Sequence, residues 1–396
     1  MDYILDSKTK ELVLKYHDET LKNRRCIHAN PEIGLQEFET TKLIRDELDK
    51  ANIKWIEASE TGTIGIIEGN PNSDNILALR ADNDALRIEE LVESEYKSKN
   101  KGLMHACGHD AHTASLLSAG KILKENFEGK FDGKIYLLFQ PGEESTIGAK
   151  TVIKSGAVNN VKAFYGQHVW SPLEIGKIVT RANAFMSGAK VFYIHVLGKS
   201  GHGSTLEKTR NPLVAASSIV LALQTIVSNN VSALESGVLC VGGISGGNQF
   251  NAIPEKCEIM GSIRYMNKQM AQNLCQRIEE IAINTAKVYG CEAQVEYGGS
   301  LSALNTDENL TKLVYKAAEK VVPKENVSEW KLELGSEDFA EYCDIAPCAY
   351  AFIGCRNEAI GANQAHHNAY FKIDEDCLDI LVATYIEFAK EYFGII

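Results

Sequence analysis

The sequence predicts an α/β protein with a smaller unit of a different kind inserted into it, and three features carry that expectation. Short apolar runs alternate with amphipathic helical stretches up to residue 183, the pattern of a sheet covered by helices. Residues 184–297 then follow the order strand, helix, strand, strand, helix, strand of a ferredoxin-like (βαββαβ) unit. Beyond residue 300 the first alternation resumes. A chain of 396 residues also exceeds the usual size of one core, so the expected division is 1–183 and 298–396 for one domain and 184–297 for the insertion.

Residues 7–29 read as a helix, with Leu12, Leu14, Tyr16, Leu21 and Ile27 among charged residues. Pro31 and Gly34 break it, and Gln36 to Ala51 reads as a second helix. Strands are expected at Thr63–Glu68 and Asn75–Arg80, the second placing Asp82 and Asp84 just past its carboxyl end. Sites in open α/β sheets collect there, although a turn or helix cap would use the same aspartates. A helix over Ala114–Lys124 and a strand over Lys134–Phe139 follow, then a strand over Ala163–Val169 that brings His168 to a third strand end.

Within the insertion the strands are Ala189–Leu197, Gly237–Gly242, Cys257–Tyr265 and Glu292–Tyr297, and the helices Asn211–Ser228 and Lys268–Tyr289. The last third offers a helix near Leu310–Val321, a strand at Ala349–Ile353 and a final helix from Asp376 to Tyr392.

Composition excludes several classes. The net charge of -12 argues against nucleic acid and anionic membranes as partners. No eighteen apolar residues occur in succession and no basic, apolar leader opens the chain, which points to the cytoplasm. Ten cysteines lie far apart without a Cys-x-x-Cys pair, so most are expected reduced and buried.

The chemistry concentrates in residues 104–112, where His105, Cys107, His109, Asp110 and His112 share nine positions. Imidazole beside thiolate suits a divalent transition metal. Further candidates are one of Glu143 and Glu144 in Gln140-Pro-Gly-Glu-Glu, His168, and one of His366 and His367. On an extended chain the adjacent glutamates would point in opposite directions, one to metal and one to substrate. Five ligands are too many for one open tetrahedral zinc but suit two ions sharing a bridging group and a water. The free glutamate could then take the water's proton. In the insertion, the glycine-rich turns around His202 and Asn251 allow close backbone approach, and Arg264 could grip a carboxylate.

These ordered motifs resemble the M20 metallopeptidase superfamily, in its amidohydrolase branch of N-acyl-amino-acid, hippurate and auxin-conjugate hydrolases, from His28-Ala-Asn-Pro-Glu to Phe371-Lys-Ile-Asp-Glu. The resemblance implies a zinc-peptidase-like catalytic domain with the ferredoxin-like unit as a lid and dimerisation domain. It implies Cys107, His109, Glu144, His168 and His367 as ligands of two divalent ions (Zn, Mn, Co or Ni), Glu143 as general base and Asp84 as the aspartate orienting a ligand. His112 stays outside the ligand set, and His366 takes a place that is often apolar. His202 is implied to stabilise the oxyanion, in some relatives that of a partner subunit, while Asn251 and Arg264 hold the substrate carboxylate. A homodimer or homotetramer acting on a small N-acyl amino acid or short peptide is the expected assembly.

Four positions depart from the family pattern. Arg87 replaces a usual Pro, Gly142 a common Ala, and Leu206 and Asn211 the usual Pro and Asp. Arg87 would suit a second negative charge on the substrate, or a surface ion pair. The expected activity is metal-dependent hydrolysis of an N-acyl amino acid to a carboxylate and a free amino acid. A dipeptidase or carboxypeptidase, an N-acetyl-diaminopimelate deacetylase and a catalytically silent binding protein are the alternatives.

Overall fold

The computed structural model describes residues 4–395. They form two compact units, the first from residues 4–185 with 306–331 and 338–395, the second from 186–305 with 332–337. The return to the first unit comes later than residue 298 because the strand beginning at Glu292 keeps pairing as far as Leu301, opposite Ala189. Residues 332–337 belong with the second unit through Ser187, whose N–H and hydroxyl donate to the carbonyls of Gly335 and Leu334.

The first unit is built on a mixed eight-stranded sheet. Its strands are β1 (Lys54–Glu57), β2 (Thr63–Glu68), β3 (Ile76–Asp82), β4 (Lys134–Gln140), β5 (Ala163–Glu174) and β6 (Ile178–Thr180), with the later β15 (Val327–Glu329) and β16 (Cys348–Arg356). Their spatial order is β1-β2-β4-β3-β5-β16-β6-β15, and the central pairs β4-β3, β3-β5 and β5-β16 are parallel. Helices α1 (Ser7–Ala29), α2 (Phe38–Lys50), α3 (His109–Phe127), α4 (Gly148–Ser155), α8 (Glu308–Val321) and α9 (Cys377–Phe393) complete the unit. Every residue of β3 is buried, as both faces of a central parallel strand should be.

Two expectations shift here. Asp82 is the last residue of β3 and not beyond it, because it still pairs with Gln140. His168 is interior to a twelve-residue strand and not at its end: β3 stops pairing with β5 at Gly166, but β16 follows β5 on the other side as far as Glu174. His168 therefore lies past the last β3–β5 pair while β16 still supports its own strand.

The second unit is a four-stranded antiparallel sheet, β10-β12-β8-β13, of β8 (Gly188–Leu197), β10 (Val238–Ser245), β12 (Lys256–Tyr265) and β13 (Glu292–Leu301). Helices α5 (Pro212–Leu223), α6 (Thr225–Asn230) and α7 (Lys268–Val288) share its core with Phe192, Ile194, Ile259 and Ile263. The single helix expected over 211–228 is divided at Gln224. A two-stranded ribbon, β9 (Gly201–His202) with β11 (Ala252–Ile253), extends beyond the Leu197–Lys256 end of the sheet. The short β7 (Asn183–Met186) and β14 (Leu304–Thr306) lie where the chain enters the second unit near residue 186 and leaves it near residue 305. No helix among the described residues is long and apolar enough to cross a membrane.

What seats α3 against the sheet is a glycine. A Cβ on Gly120 would lie 2.3 Å from Leu137 Cδ1, and Leu137 is fully buried. Leu137→Ala should open a cavity at this contact and cost about 2–5 kcal/mol, read from the denaturant midpoint. A change under about 1 kcal/mol would show that α3 is held elsewhere.

Candidate metal centre

The stretch 105–112 divides its side chains between two jobs. Gly108, at φ 93°, turns the chain between Cys107 and the first turn of α3, a conformation suited to glycine, and a Cβ there would collide with Val169. Cys107 and His109 then face the end of the sheet. Asp110 turns to α1, where Oδ2 accepts from Arg24 Nε and lies 2.8 Å from His28 Nδ1. His112 is fully engaged: Nδ1 is 2.6 Å from Asp82 Oδ1, and Nε2 accepts the Val169 N–H at 2.9 Å. His105 is buried near His28, its ring centroids 6.2 Å away, and burial drives its pKa down to about 3.

Residues far apart in sequence meet at Cys107. The ligand atoms of Cys107, His109 and His168 lie within 4.8 Å of one another, and so do those of Cys107, Glu144 and His367. His109, Glu143 and Glu144 form a third such group. Cys107 Sγ is 3.4 Å from His168 Nε2, and His367 Nε2 is 3.1 Å from Glu144 Oε1. His367 holds φ 61°, rare for a residue with a Cβ, and its N–H donates to Ala106 O at 2.9 Å. Strain of this kind collects at functional sites. His366 goes elsewhere: Nε2 accepts the Ser171 N–H, and the ring lies 5.0 Å from Trp170.

The donor chemistry fits a cation. His168 Nδ1 is turned to the Val169 carbonyl, which leaves Nε2 as the lone-pair nitrogen, and burial holds the imidazole neutral. His109 Nε2 is buried and, among the described residues, has no hydrogen-bond partner. Burial and the nearby Glu144 push the Cys107 thiol up, so a neighbouring divalent ion is what would make it a thiolate. Burial opposes charge on both His109 and Glu144. Even so, Asp82 raises the His109 pKa well above its ordinary value, and His367 draws the Glu144 carboxyl down.

Asp84 organises the surroundings. Oδ1 lies 3.1 Å from His109 Nδ1 and accepts the Glu143 N–H at 3.1 Å, while Oδ2 accepts the Glu144 N–H at 3.0 Å. The two glutamates occupy a turn and not extended chain, so it is this clamp, with no alternation of strand side chains, that sets them apart. Glu143 Oε1 in turn accepts the Asp338 N–H at 3.3 Å.

The predicted residues of the second unit fall into two places. His202 pairs with Ala252 in the β9-β11 ribbon, its Nδ1 2.7 Å from Ser204 Oγ, and Gly203 N–H donates to Asn251 O. Arg264 is near the opposite end of β12, donating to Ser336 Oγ at 2.9 Å. Eight strand steps from Lys256 to Arg264 span about 26 Å, so Asn251 and Arg264 of one chain do not meet.

The pattern of peptidase family M20/M25/M40 matches residues 78–391. The chain belongs to that family. It is 39% identical over 381 residues to the IAA-amino acid hydrolase ILR1-like 2 of Arabidopsis thaliana, covering 95% of this chain and 85% of that one. It is 38% identical to the N-acetyl-L-cysteine deacetylase of Bacillus subtilis, covering 91% of this chain and 85% of that one. A crystal structure of a dinuclear metal-binding M20 peptidase from Bacillus subtilis superposes with TM-score 0.84 at 28% identity, over 97% of this chain and all of that one.

In this M20 chain, sequence reasoning passed over two buried supports. Arg80, inside β3, donates to Asp82 (2.5 Å), Gln140 (2.9 Å) and Asp338 (3.0 Å). An arginine ending so apolar a run was the available signal. Glu37 accepts from Gly142 N–H and Thr61 Oγ1, both at 2.8 Å, and no spacing marked it. Burial, then the charge of Asp84, outweighs those donors and raises Glu37 to about 7. A raised carboxyl stabilises the fold while protonated and loses that contribution as pH rises from its unfolded value, about 4.3, through its folded one. Glu37→Gln should therefore gain in melting temperature over the wild type as metal-free protein is taken from pH 5 to 8. A difference independent of pH would remove Glu37 as the titrating group.

Proposed function

We propose that the chain is a metal-dependent amidohydrolase cleaving the amide of an N-acyl amino acid to a carboxylate and a free amino acid. One observation carries this reading: two trios of potential ligands share Cys107, with an additional carboxylate, Glu143, held beside Glu144. The relatives support the substrate class, being named for hydrolysis of an IAA-amino acid and deacetylation of N-acetyl-L-cysteine. The dinuclear metal site of the B. subtilis structure supports two ions here as well.

In this reading Cys107, His109, Glu144, His168 and His367 hold the ions. Two such ions supply a more acidic water and a polarised scissile carbonyl. Glu143 takes the water's proton at its carboxylate and delivers it to the leaving amine. Asp84 keeps His109 and the glutamate turn in place, so neither has to reorganise during the reaction. His202 donates to the oxyanion. Asn251 and Arg264 serve the substrate carboxylate, and their separation within one chain means that a site using both draws on two copies. A homo-oligomer is therefore part of the proposal, as is a cytoplasmic location in keeping with ten dispersed cysteines.

Glu143→Gln should retain about two metal equivalents per chain by elemental analysis while hydrolysis falls about 10²- to 10⁴-fold. Chelation should abolish wild-type turnover and divalent ions restore it. Full activity in the variant would refute the base assignment. Faster turnover of unblocked dipeptides than of acetyl- or aroyl-amino acids would favour the dipeptidase alternative.

A further inference from the structure

The loop following Asp84 carries a feature that the reaction leaves unused. Arg87 is exposed, and among the described residues its guanidinium has no ion pair or hydrogen bond, contrary to the surface ion pair its sequence position suggested. Acidic neighbours are plentiful but committed. Glu89 accepts the Gly102 N–H at 2.6 Å, Glu90 accepts from Ser98 N–H and faces His28, and Glu93 pairs with Lys97 at 2.7 Å. A cation that is passed over by the carboxylates around it remains available to a ligand.

Its backbone is fixed beside the metal centre. Leu86 and Met104 exchange both hydrogen bonds at 3.0 Å, three residues before Cys107, and Leu91 N–H donates to Ala369 O, two residues after His367. The strip 86–91 is thus bound to both segments that supply candidate ligands. The Ile88 N–H closes a tight turn onto Leu86 O at 2.9 Å with Arg87 at its apex, and Leu86 and Ile88 pack on the core. The Arg87 side chain accordingly projects away from that core. Three residues span at most about 11 Å, and over that length the chain passes from buried Asp84, which touches His109, to exposed Arg87.

We infer that Arg87 is a specificity-determining residue that binds a second carboxylate of the substrate, so that this enzyme prefers dicarboxylic N-acyl amino acids. The inference rests on the amidohydrolase reading above. A guanidinium is the side chain best suited to a carboxylate, which it can meet with two parallel N–H donors. The second carboxylate can lie on the acyl group, as in an N-glutaryl amino acid, or on the amino acid, as in N-acetylglutamate. Both offer Arg87 the same partner.

The test compares kcat/KM of the wild type, Arg87→Ala and Arg87→Glu on N-acetylmethionine, N-acetylglutamate and N-glutarylalanine. The ratio of a dicarboxylic to the neutral substrate should fall about 5- to 10-fold in Arg87→Ala, through KM, and further in Arg87→Glu. Whichever dicarboxylic substrate shows the fall identifies the side on which the second carboxylate sits. Unchanged ratios for both would overturn the inference, whereas absence of turnover on all three by metal-loaded wild type would overturn the amidohydrolase reading instead. Calorimetric binding of N-acetylglutamate and N-glutarylalanine in the Glu143→Gln background, with and without Arg87→Ala, reads the same contact without turnover. Equal affinities for both ligands there would also refute it.

Discussion

The carboxylate of Asp84 is the contact on which the candidate centre depends. Two oxygens reach three partners: the imidazole of His109 and the backbone N–H groups of Glu143 and Glu144. These partners come from a helix start and from a turn after another strand, so one side chain joins elements that no local preference would bring together. Because the bonds to the glutamates are made to their backbone, Asp84 fixes the turn without engaging either carboxylate. A buried carboxylate accepting three such bonds also gives the imidazole its orientation and greater basicity.

Behind Asp84 lies a tier of charges inside the core. Arg80, fully buried, is matched by Asp82 and Asp338, and Gln140 accepts from Arg80 while donating to Asp338. Taking such ions out of water is costly, and removing one member would leave the others unpaired at a cost of about 3–5 kcal/mol. Their arrangement shows the compensation. Asp82 also meets His112, His112 accepts from Val169, and His168 precedes it, so the charges fix the strand position from which a candidate ligand projects. Arg24, His28 and Asp110 do the same for α3 from the side of α1.

The second unit follows a different logic. Its sheet is antiparallel with one face covered by helices, and its polar, glycine-rich segments extend past one end while Arg264 stands near the other. Within a single copy, strand length keeps the ribbon residues and Arg264 apart. That separation ties the proposed handling of substrate to assembly.

By itself the sequence determined the α/β alternation, the βαββαβ order of the insertion and the concentration of ligand types at 105–112, because periodicity and residue chemistry are local properties. It also supplied, through ordered motifs, the residues that meet at Cys107. It could not tell that Asp110 and His112 are spent on α1 and on Asp82, that His168 lies inside a continuing strand, or that Glu143 and Glu144 are separated by a clamp. Nor could it find Glu37 or say what Arg80 meets, since their partners Gly142 and Asp338 lie 105 and 258 residues away. Those outcomes were decided by tertiary structure, since which of several nearby acids a buried base meets depends on distances that only the packed sheet and helices establish.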